Sequence, residues 1–273
     1  MPVEVSLDMF AERPVFLPRF TGYLSRGLLL HVLRRVDPSI SEFLHRPDVP
    51  KPYSVTPLWF KSKGRTEEGF ILDPTHPCRV SFRFLKDDLA HFFLRYFYES
   101  SSLLIYDTVF NVASLTVNSR SYPNLWEEIP KPIDSFGLRF KTPTYLATMG
   151  TDFHYLFPDP QRIFLNLMRL WNSFSDGRRF SKEEVGEYKD WLLKYVGVSK
   201  HRLQTRIAYM GEKKATGFIG WVAYEMKEMD EWNRVTCVLA RYAEYSNIGG
   251  NRTGGFGVTE LKIKPGKPPP TST

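Results

Sequence analysis

Cysteine is scarce in this sequence: only Cys78 and Cys237 occur among 273 residues. They lie far apart, and neither has a second Cys or His beside it at zinc-ligand spacing, which argues against a structural zinc site and a disulfide framework. No apolar run reaches the roughly 18 residues of a membrane span. The first residues also lack the basic and apolar regions of a secretory signal. We therefore expect a soluble, cytoplasmic protein of a reducing compartment, with no membrane partner.

The composition fits a folded, basic protein with two domains. Hydrophobic residues make up 42% and aromatic residues 15%, and the chain is long enough to bury two packed cores. Lys and Arg number 37 against 30 Asp and Glu, which gives a net charge of +7 and a pI near 9.3. This excess favours a polyanionic partner, although charge alone does not separate nucleic-acid binders from other basic proteins.

Hydrophobic periodicity in the first half predicts the element order βαββαβ. Residues 3–7 alternate like a half-buried strand. Ser25 is expected to cap a helix that exposes His31, and Asp37 to cap a short second helix that ends near His45. The buried stripe of the first helix comprises Leu29, Leu30, Leu33 and Val36. Further strands are predicted at 53–60, 79–84 and 103–117, with a polar loop at 61–68 and a helix capped by Asp87.

The same order repeats after a turn-rich connection at 118–132. The second half is predicted to contain a strand at 136–140, a helix around 163–171, a helix with a capping box at Ser181 and Glu184, a hairpin at 203–224, a helix at 232–245 and a strand at 257–263. We therefore expect an α+β fold with two tandem ferredoxin-like (RRM-like, βαββαβ) domains, at 1–122 and 133–265. The tail, 266–273, is expected to be disordered because it has little to bury.

The most specific local signal is a glycine-rich loop at 246–257, between the predicted last helix and last strand. Glycine permits positive φ and close approach of the backbone, so successive N–H groups can cradle phosphate oxygens. We expect the loop to hold RNA backbone with Arg252 at its tip. The alternative is a tight turn that needs glycine only for its geometry, and the loop is neither a Walker loop nor a dinucleotide fingerprint. The residues assigned to RNA are Gly249, Gly250, Asn251, Arg252, Gly254, Gly255 and Gly257.

A second signal is a proline-stiffened loop flanked by His45 and Lys51. A histidine can exchange a proton near neutral pH, and an ammonium can neutralise charge that accumulates on a phosphate in a transition state. Together they could cleave RNA by attack of a 2′-hydroxyl on its own phosphate. The alternative is that His45 caps the short helix and Lys51 is a solvated cation.

The two loops in this order resemble those of the CRISPR-associated repeat-RNA endoribonucleases, the Cas6 family of the RAMP superfamily. The resemblance extends over nearly the whole chain. It includes residues 27–33, Leu44 and His45, Pro50 and Lys51, the strand at 217–222 and the Gly-Phe-Gly ending at 255–257. In that family two Gly-hydrophobic-Gly groups separated by five residues hold RNA. Here Asn247 replaces the first glycine, and asparagine tolerates left-handed backbone better than most residues.

This resemblance implies a metal-independent endoribonuclease that cleaves CRISPR repeat RNA and needs no cofactor. His45 is then the expected general acid or base, and Lys51 the phosphate stabiliser. The family's tyrosine aligns with Leu30, so its role is vacant or is filled by His31 or Tyr53. Basic residues expected to track the RNA backbone are Arg26, Arg34 and Arg35 on the first helix and Lys213 and Lys214 in the hairpin loop.

Two other classes of function stay open. A non-catalytic RNA-binding subunit of a CRISPR effector complex would share the fold and the charge, and convergence of His45 and Lys51 on one phosphate would distinguish the enzyme from it. A structural protein that assembles protein partners would bind RNA without a steep dependence on salt. The sequence has no self-complementary signal that supports or excludes a homodimer.

Overall fold

The computed structural model describes residues 1–46, 49–148, 150–210 and 213–263. The elements of the first half are β1 Val3–Ala11, β2 Phe16–Pro18, α1 Gly22–Val36, α2 Pro38–His45, β3 Tyr53–Val55, β4 Ser62–Arg65, β5 Gly69–Leu72, β6 Cys78–Phe84, α3 Asp87–Glu99, β7 Ser102–Ile105 and β8 Thr108–Ser119. Those of the second half are α4 Tyr122–Glu127, β9 Ser135–Thr144, α5 Pro160–Phe174, α6 Lys182–Tyr195, β10 Val196–Met210, β11 Lys213–Met226, α7 Glu231–Ser246 and β12 Thr259–Ile263. None of these helices is long and apolar enough to cross a membrane.

The two main sheets have the same strand order. In the first half the antiparallel order is β3-β6-β1-β8, extended by β7, and in the second it is β10-β11-β9-β12. Each sheet therefore places its first strand between its third and fourth, with its second strand at the edge beyond the third. The predicted α+β fold with two ferredoxin-like units is confirmed.

Each half buries its own hydrophobic core. Phe82 and Phe93 lie in the first core, and Phe164 and Trp171 in the second. The predicted connection contains the short helix α4, whose Tyr122 is buried in the second core. The domain boundary at 122 stays a prediction, and the predicted tail at 266–273 lies outside the described residues.

The capping residues predicted from the sequence were confirmed for α2 and α6 and wrong for α1. Asp37 caps α2, and Ser181 and Glu184 form the predicted capping box of α6. The first helix begins at Gly22 rather than after Ser25, which is buried within it. The predicted polar loop at 61–68 contains β4, which pairs with β5 in a small sheet with β2. Strands this short and exposed show no clear alternation of apolar and polar residues.

Candidate functional site

His45 ends α2 and is exposed. The helix is started by Asp37, whose Oδ1 accepts a hydrogen bond from the Ser39 N–H at 2.9 Å. The imidazole Nδ1 of His45 lies 2.7 Å from the carbonyl oxygen of Ser41, one turn earlier. Because a carbonyl oxygen only accepts, Nδ1 carries the proton in this contact. The neutral ring then presents Nε2 as a proton acceptor, the form that a general base requires.

Lys51 lies near the same end of α2. Its Nζ donates a hydrogen bond to the carbonyl oxygen of Arg46, the residue that follows His45. Pro47 and Asp48, between them, lie outside the described residues. The Lys51 ammonium group thus contacts the backbone of the residue next to the candidate base, and its role at a phosphate stays a prediction.

One face of α1 forms an exposed stripe made of Tyr23, Gly27 and His31, which are spaced by four residues. The stripe lines a cavity of 480 Å³ together with Tyr106 in the turn between β7 and β8 and Tyr209 near the tip of the β10–β11 hairpin. His31 is therefore accessible, and the sequence was right to place it on the outer side of the helix.

The arginines of α1 differ in exposure. Arg34 and Arg35 are exposed in the last turn, as predicted, whereas Arg26 is partly buried. Arg26 lies close enough to the phenol of Tyr53 to oppose the rise in the Tyr53 pKa that burial causes. Contact of all three arginines with RNA stays a prediction.

Tyr53 is a correction to the predicted site. It lies in edge strand β3 with 0% of its surface exposed, and its hydroxyl has no hydrogen-bond partner among the described residues. A phenol buried to this extent does not reach a bound phosphate. Leu30, at the position of the family's tyrosine, packs against the first core.

Sequence reasoning missed Tyr23, which offers the phenol that Leu30 and Tyr53 do not. It lies two turns before His31 on the exposed stripe, and its hydroxyl accepts a hydrogen bond from Asn251 Nδ2 in the glycine-rich loop. The spacing of eight residues between Tyr23 and His31 was the signal available in the sequence.

The glycine-rich loop packs between the two halves and is not an open cradle. The N–H groups of Gly250 and Gly254 donate to the carbonyl oxygens of Tyr145 and Asn251, at 2.9 and 2.8 Å. A Cβ on Gly249 would lie 2.2 Å from the Tyr145 carbonyl oxygen, and one on Gly257 would lie 1.8 Å from the Ile248 carbonyl oxygen. Close packing therefore requires glycine here, which is the alternative considered beside the cradle. RNA contact stays a prediction for the assigned residues Gly249, Gly250, Asn251, Gly254, Gly255 and Gly257.

Arg252 does not lie at the tip of a cradle, which corrects that expectation. Its Nη1 donates to the carbonyl oxygen of Ser246 at 2.7 Å, and its Nη2 to that of Lys51 at 3.3 Å. Burial lowers its pKa to about 10, so it remains a cation at neutral pH. Arg252 therefore connects the end of α7 to the loop that carries Lys51.

Asn247 forms a second connection between the halves. Its φ of +57° confirms that asparagine adopts the positive φ expected at this position. Its buried amide Nδ2 donates to the Val55 carbonyl oxygen at 3.0 Å, and its Oδ1 accepts from Arg83 Nη1 at 2.9 Å. Both partners belong to the first half, so the side chain adds contacts that a glycine would lack.

Phe256 and the hairpin complete this junction, by which we mean the glycine-rich loop and the residues it contacts. Phe256 is fully buried, and its ring centroid lies 4.8 Å from that of Phe20. Ala208 and Ala215, from the two strands of the hairpin, pack against it.

The two lysines predicted in the hairpin loop lie on a strand. Lys213 and Lys214 are exposed at the start of β11, where they pair with Met210 and Tyr209. The strands therefore extend closer to the tip than predicted.

Comparisons with known proteins point to one family. Residues 138–259 match the family model described as CRISPR-associated endoribonuclease Cas6, whereas a search of curated proteins finds no match.

The solved Cas6 of Thermus thermophilus (TTHB231) is 24% identical, with a TM-score of 0.70 over 96% of this chain and 98% of that one. A TTHB231 product complex is 23% identical, with a TM-score of 0.78 over 96% and 100%. The product of a Cas6-related gene from Pyrococcus furiosus is 10% identical, with a TM-score of 0.62 over 96% and 98%. The chain thus has the Cas6 fold throughout and the Cas6 family signature across its C-terminal half, which confirms the resemblance predicted from its sequence.

Proposed function

We propose that this protein is a metal-independent endoribonuclease that cleaves CRISPR repeat transcripts. The observation that carries the proposal is the exposed His45, whose proton is directed to Nδ1 by the Ser41 carbonyl oxygen, while the Lys51 ammonium donates to the carbonyl oxygen of the next residue, Arg46. The C-terminal half matches the family of CRISPR-associated endoribonuclease Cas6. Similar structures include a Cas6 product complex and a Cas6 substrate mimic complex.

The reaction we propose uses the RNA's own nucleophile. His45 Nε2 accepts the proton of the 2′-hydroxyl, and the 2′-oxygen attacks the adjacent phosphorus. The bond from phosphorus to the 5′-oxygen breaks, that oxygen takes a proton from solvent, and His45 Nε2 returns its proton to solvent. The products are a 2′,3′-cyclic phosphate and a 5′-hydroxyl. Lys51 stabilises the negative charge that accumulates on the phosphate, and alignment of the internal nucleophile supplies much of the acceleration.

Exposed cations on both halves of the chain support a polyanionic substrate. Arg34 and Arg35 are exposed on α1, and Lys213 and Lys214 are exposed on β11. Such cations position RNA through its phosphates without reading its sequence. A cytoplasmic location and association with a CRISPR effector complex belong to the same proposal, and a homodimer stays open.

The proposal is tested with a labelled CRISPR repeat RNA from the host, incubated with purified protein in EDTA. A second substrate carries 2′-deoxyribose at the cleavage position. We expect one cut in the normal RNA, a cyclic-phosphate end, and no cut in the deoxy substrate. Cleavage of the deoxy substrate, or cleavage that EDTA abolishes, would refute the mechanism. Tight binding of several host repeats without cutting would place the protein among non-catalytic RNA-binding subunits.

Lys51→Ala tests the stabilising role of Lys51, with Lys63→Ala, on exposed strand β4, as its control. Loss of a group that stabilises transition-state charge should slow single-turnover cleavage by about 100-fold. RNA affinity should change much less, because one phosphate contact is a small part of the binding free energy. An equal loss in affinity and rate would assign Lys51 to binding alone.

A further inference from the structure

The outer face of the second sheet, opposite its helices, carries an exposed tryptophan that the proposed cleavage site does not use. Trp221 lies on β11 with 42% of its surface exposed. Its cross-strand partners are Arg202 on β10 and Arg139 on β9. Because directly opposed residues of antiparallel strands project to the same face, one indole stands between two guanidinium groups.

The next row of cross-strand partners on this face, two residues further along the strands, leaves room beside the indole. Ala223 and Gly137 are cross-strand partners at its centre, and Lys200 and Lys262 flank them on β10 and β12. These residues and Trp221 line a depression of 810 Å³ that is formed entirely by the second half. Ala223 and Gly137 are small and leave space for a planar base. Lys200 and Lys262 at the two edges supply positive charge for the phosphates of that nucleotide.

A glycine-dependent bulge directly precedes the tryptophan. Gly220 has a φ of +125°, and the register of β11 on β9 shifts between Phe218 and Gly220. A Cβ on Gly220 would lie 2.0 Å from the carbonyl oxygen of Arg202. Bulges redirect the side chains next to them. The bulge therefore distorts β11 next to Trp221 and affects the direction in which the indole projects from the sheet.

Basic residues outnumber acidic ones in the lining of this depression, with Arg139, Lys200, Arg202 and Lys262 against Asp134 and Glu225. Arg139, Lys200 and Arg202 form no ion pair with any described residue, whereas Lys262 pairs with Glu260. A polyanion would neutralise these cations. A second copy of the chain would instead bring like charges together, because a two-fold interface opposes the same patch on both subunits.

We propose that this face, which we call the Trp221 platform, binds single-stranded RNA. One base stacks on the indole, and its flanking phosphates pair with Arg139, Lys200 and Arg202. Exposed aromatic and guanidinium groups on RRM-like sheets bind unpaired bases in this way. The platform would hold an unpaired segment of a substrate or product, at a site separate from His45, and its binding does not depend on cleavage.

The test measures fluorescence anisotropy of a labelled 2′-O-methyl uridine decamer, which the proposed reaction cannot cleave. Trp221→Ala should weaken binding by about tenfold or more, since stacking on one aromatic ring carries much of the affinity for a base. Trp59→Ala is the matched control, because Trp59 is 43% exposed and lies in the first half. Trp221→Phe retains an aromatic face and should retain most of the affinity.

A second arm tests the cations. The double variant Arg139→Gln, Arg202→Gln should reduce the slope of log Kd against log salt by about 1.4, because each phosphate contact on a single strand contributes about 0.7. Equal binding by wild type and Trp221→Ala, or an unchanged slope in the double variant, overturns the proposal. A concentration-dependent dimer that Trp221→Ala abolishes would assign the face to a protein interface and overturn it too. Cleavage at the wild-type rate in His45 variants, with this binding intact, would refute only the proposed catalytic site.

Discussion

The two loops that meet between the halves are held in opposite ways. The loop after α2 leaves His45 exposed, with its ring fixed by one hydrogen bond. The glycine-rich loop buries Asn247 and Phe256 completely. Arg252 joins them through the Lys51 carbonyl oxygen. The proposed catalytic His45 thus lies on the surface, while Arg252 of the second half binds the backbone of Lys51. Changes in the first loop should alter rate without stability, and changes in the second should alter stability first.

The largest expected effect is that of His45→Ala on cleavage. Loss of a positioned general base typically lowers a rate by about 10²- to 10⁴-fold. The free energy of unfolding should change by less than about 0.5 kcal/mol, because the side chain is exposed. Single-turnover cleavage of repeat RNA and urea denaturation measure the two quantities on the same protein.

His91→Ala controls for the loss of an exposed histidine, since His91 lies on α3 outside both loops. It should match wild type in rate and in stability. A His45→Ala protein that cleaves at the wild-type rate would remove His45 from the mechanism and leave its contact with Ser41 as a helix-end contact only.

Phe256→Ala should produce the largest loss of stability. Removing a fully buried phenylalanine side chain costs about 3–5 kcal/mol, and here the cavity would open between Phe20 and the hairpin. Urea denaturation measures the loss. Phe153→Ala is the control, because Phe153 is 83% exposed. A loss below about 1 kcal/mol would show that the junction is not tightly packed and would weaken the contrast between the loops.

The sequence predicted the fold better than it predicted the site, for physical reasons. Long amphipathic segments such as α5 and α7 carry a strong periodic signal. The order of the strands then follows from the repeated βαββαβ pattern. By contrast, β4 is short and exposed, and α4 is short and buries Tyr122 and Leu125 only against distant residues, so neither was predicted.

Within the proposed site, the sequence predicted His45 and Lys51 from the chemistry of their residue types, and their roles stay predictions. It misplaced Arg252 and Tyr53 because burial depends on which parts of the chain meet. Glycine spacing alone did not distinguish an open cradle from a packed turn, since both need positive φ and close approach.

Asn247 separates the effects of backbone and side chain at the junction. Asn247→Ala should cost about 2–3 kcal/mol, since it leaves Arg83 Nη1 and the Val55 carbonyl oxygen without this partner. It also places a Cβ where the backbone has a φ of +57°. Asn247→Gly should recover part of this loss, because glycine adopts that backbone freely. If the two variants are equally unstable in urea, the side-chain hydrogen bonds account for the whole effect.

The smallest expected effect lies on β12, just beyond the glycine-rich loop, where contacts are exposed. Lys262 and then Lys141 lower the pKa of Glu260 from 4.5 to about 2. A carboxyl whose pKa is lower in the folded state stabilises the protein above the unfolded value, and this contribution is lost as the pH falls from about 4.5 to 2. The side chains of Lys141 and Lys262 are 44% and 63% exposed, so screening limits the contribution to about 1 kcal/mol. Glu260→Gln should therefore be slightly less stable than wild type at pH 7 and equal to it near pH 2, measured by urea denaturation across this range. A deficit that persists at low pH would mean that Glu260 stabilises the protein through the packing of its side chain and not through its charge.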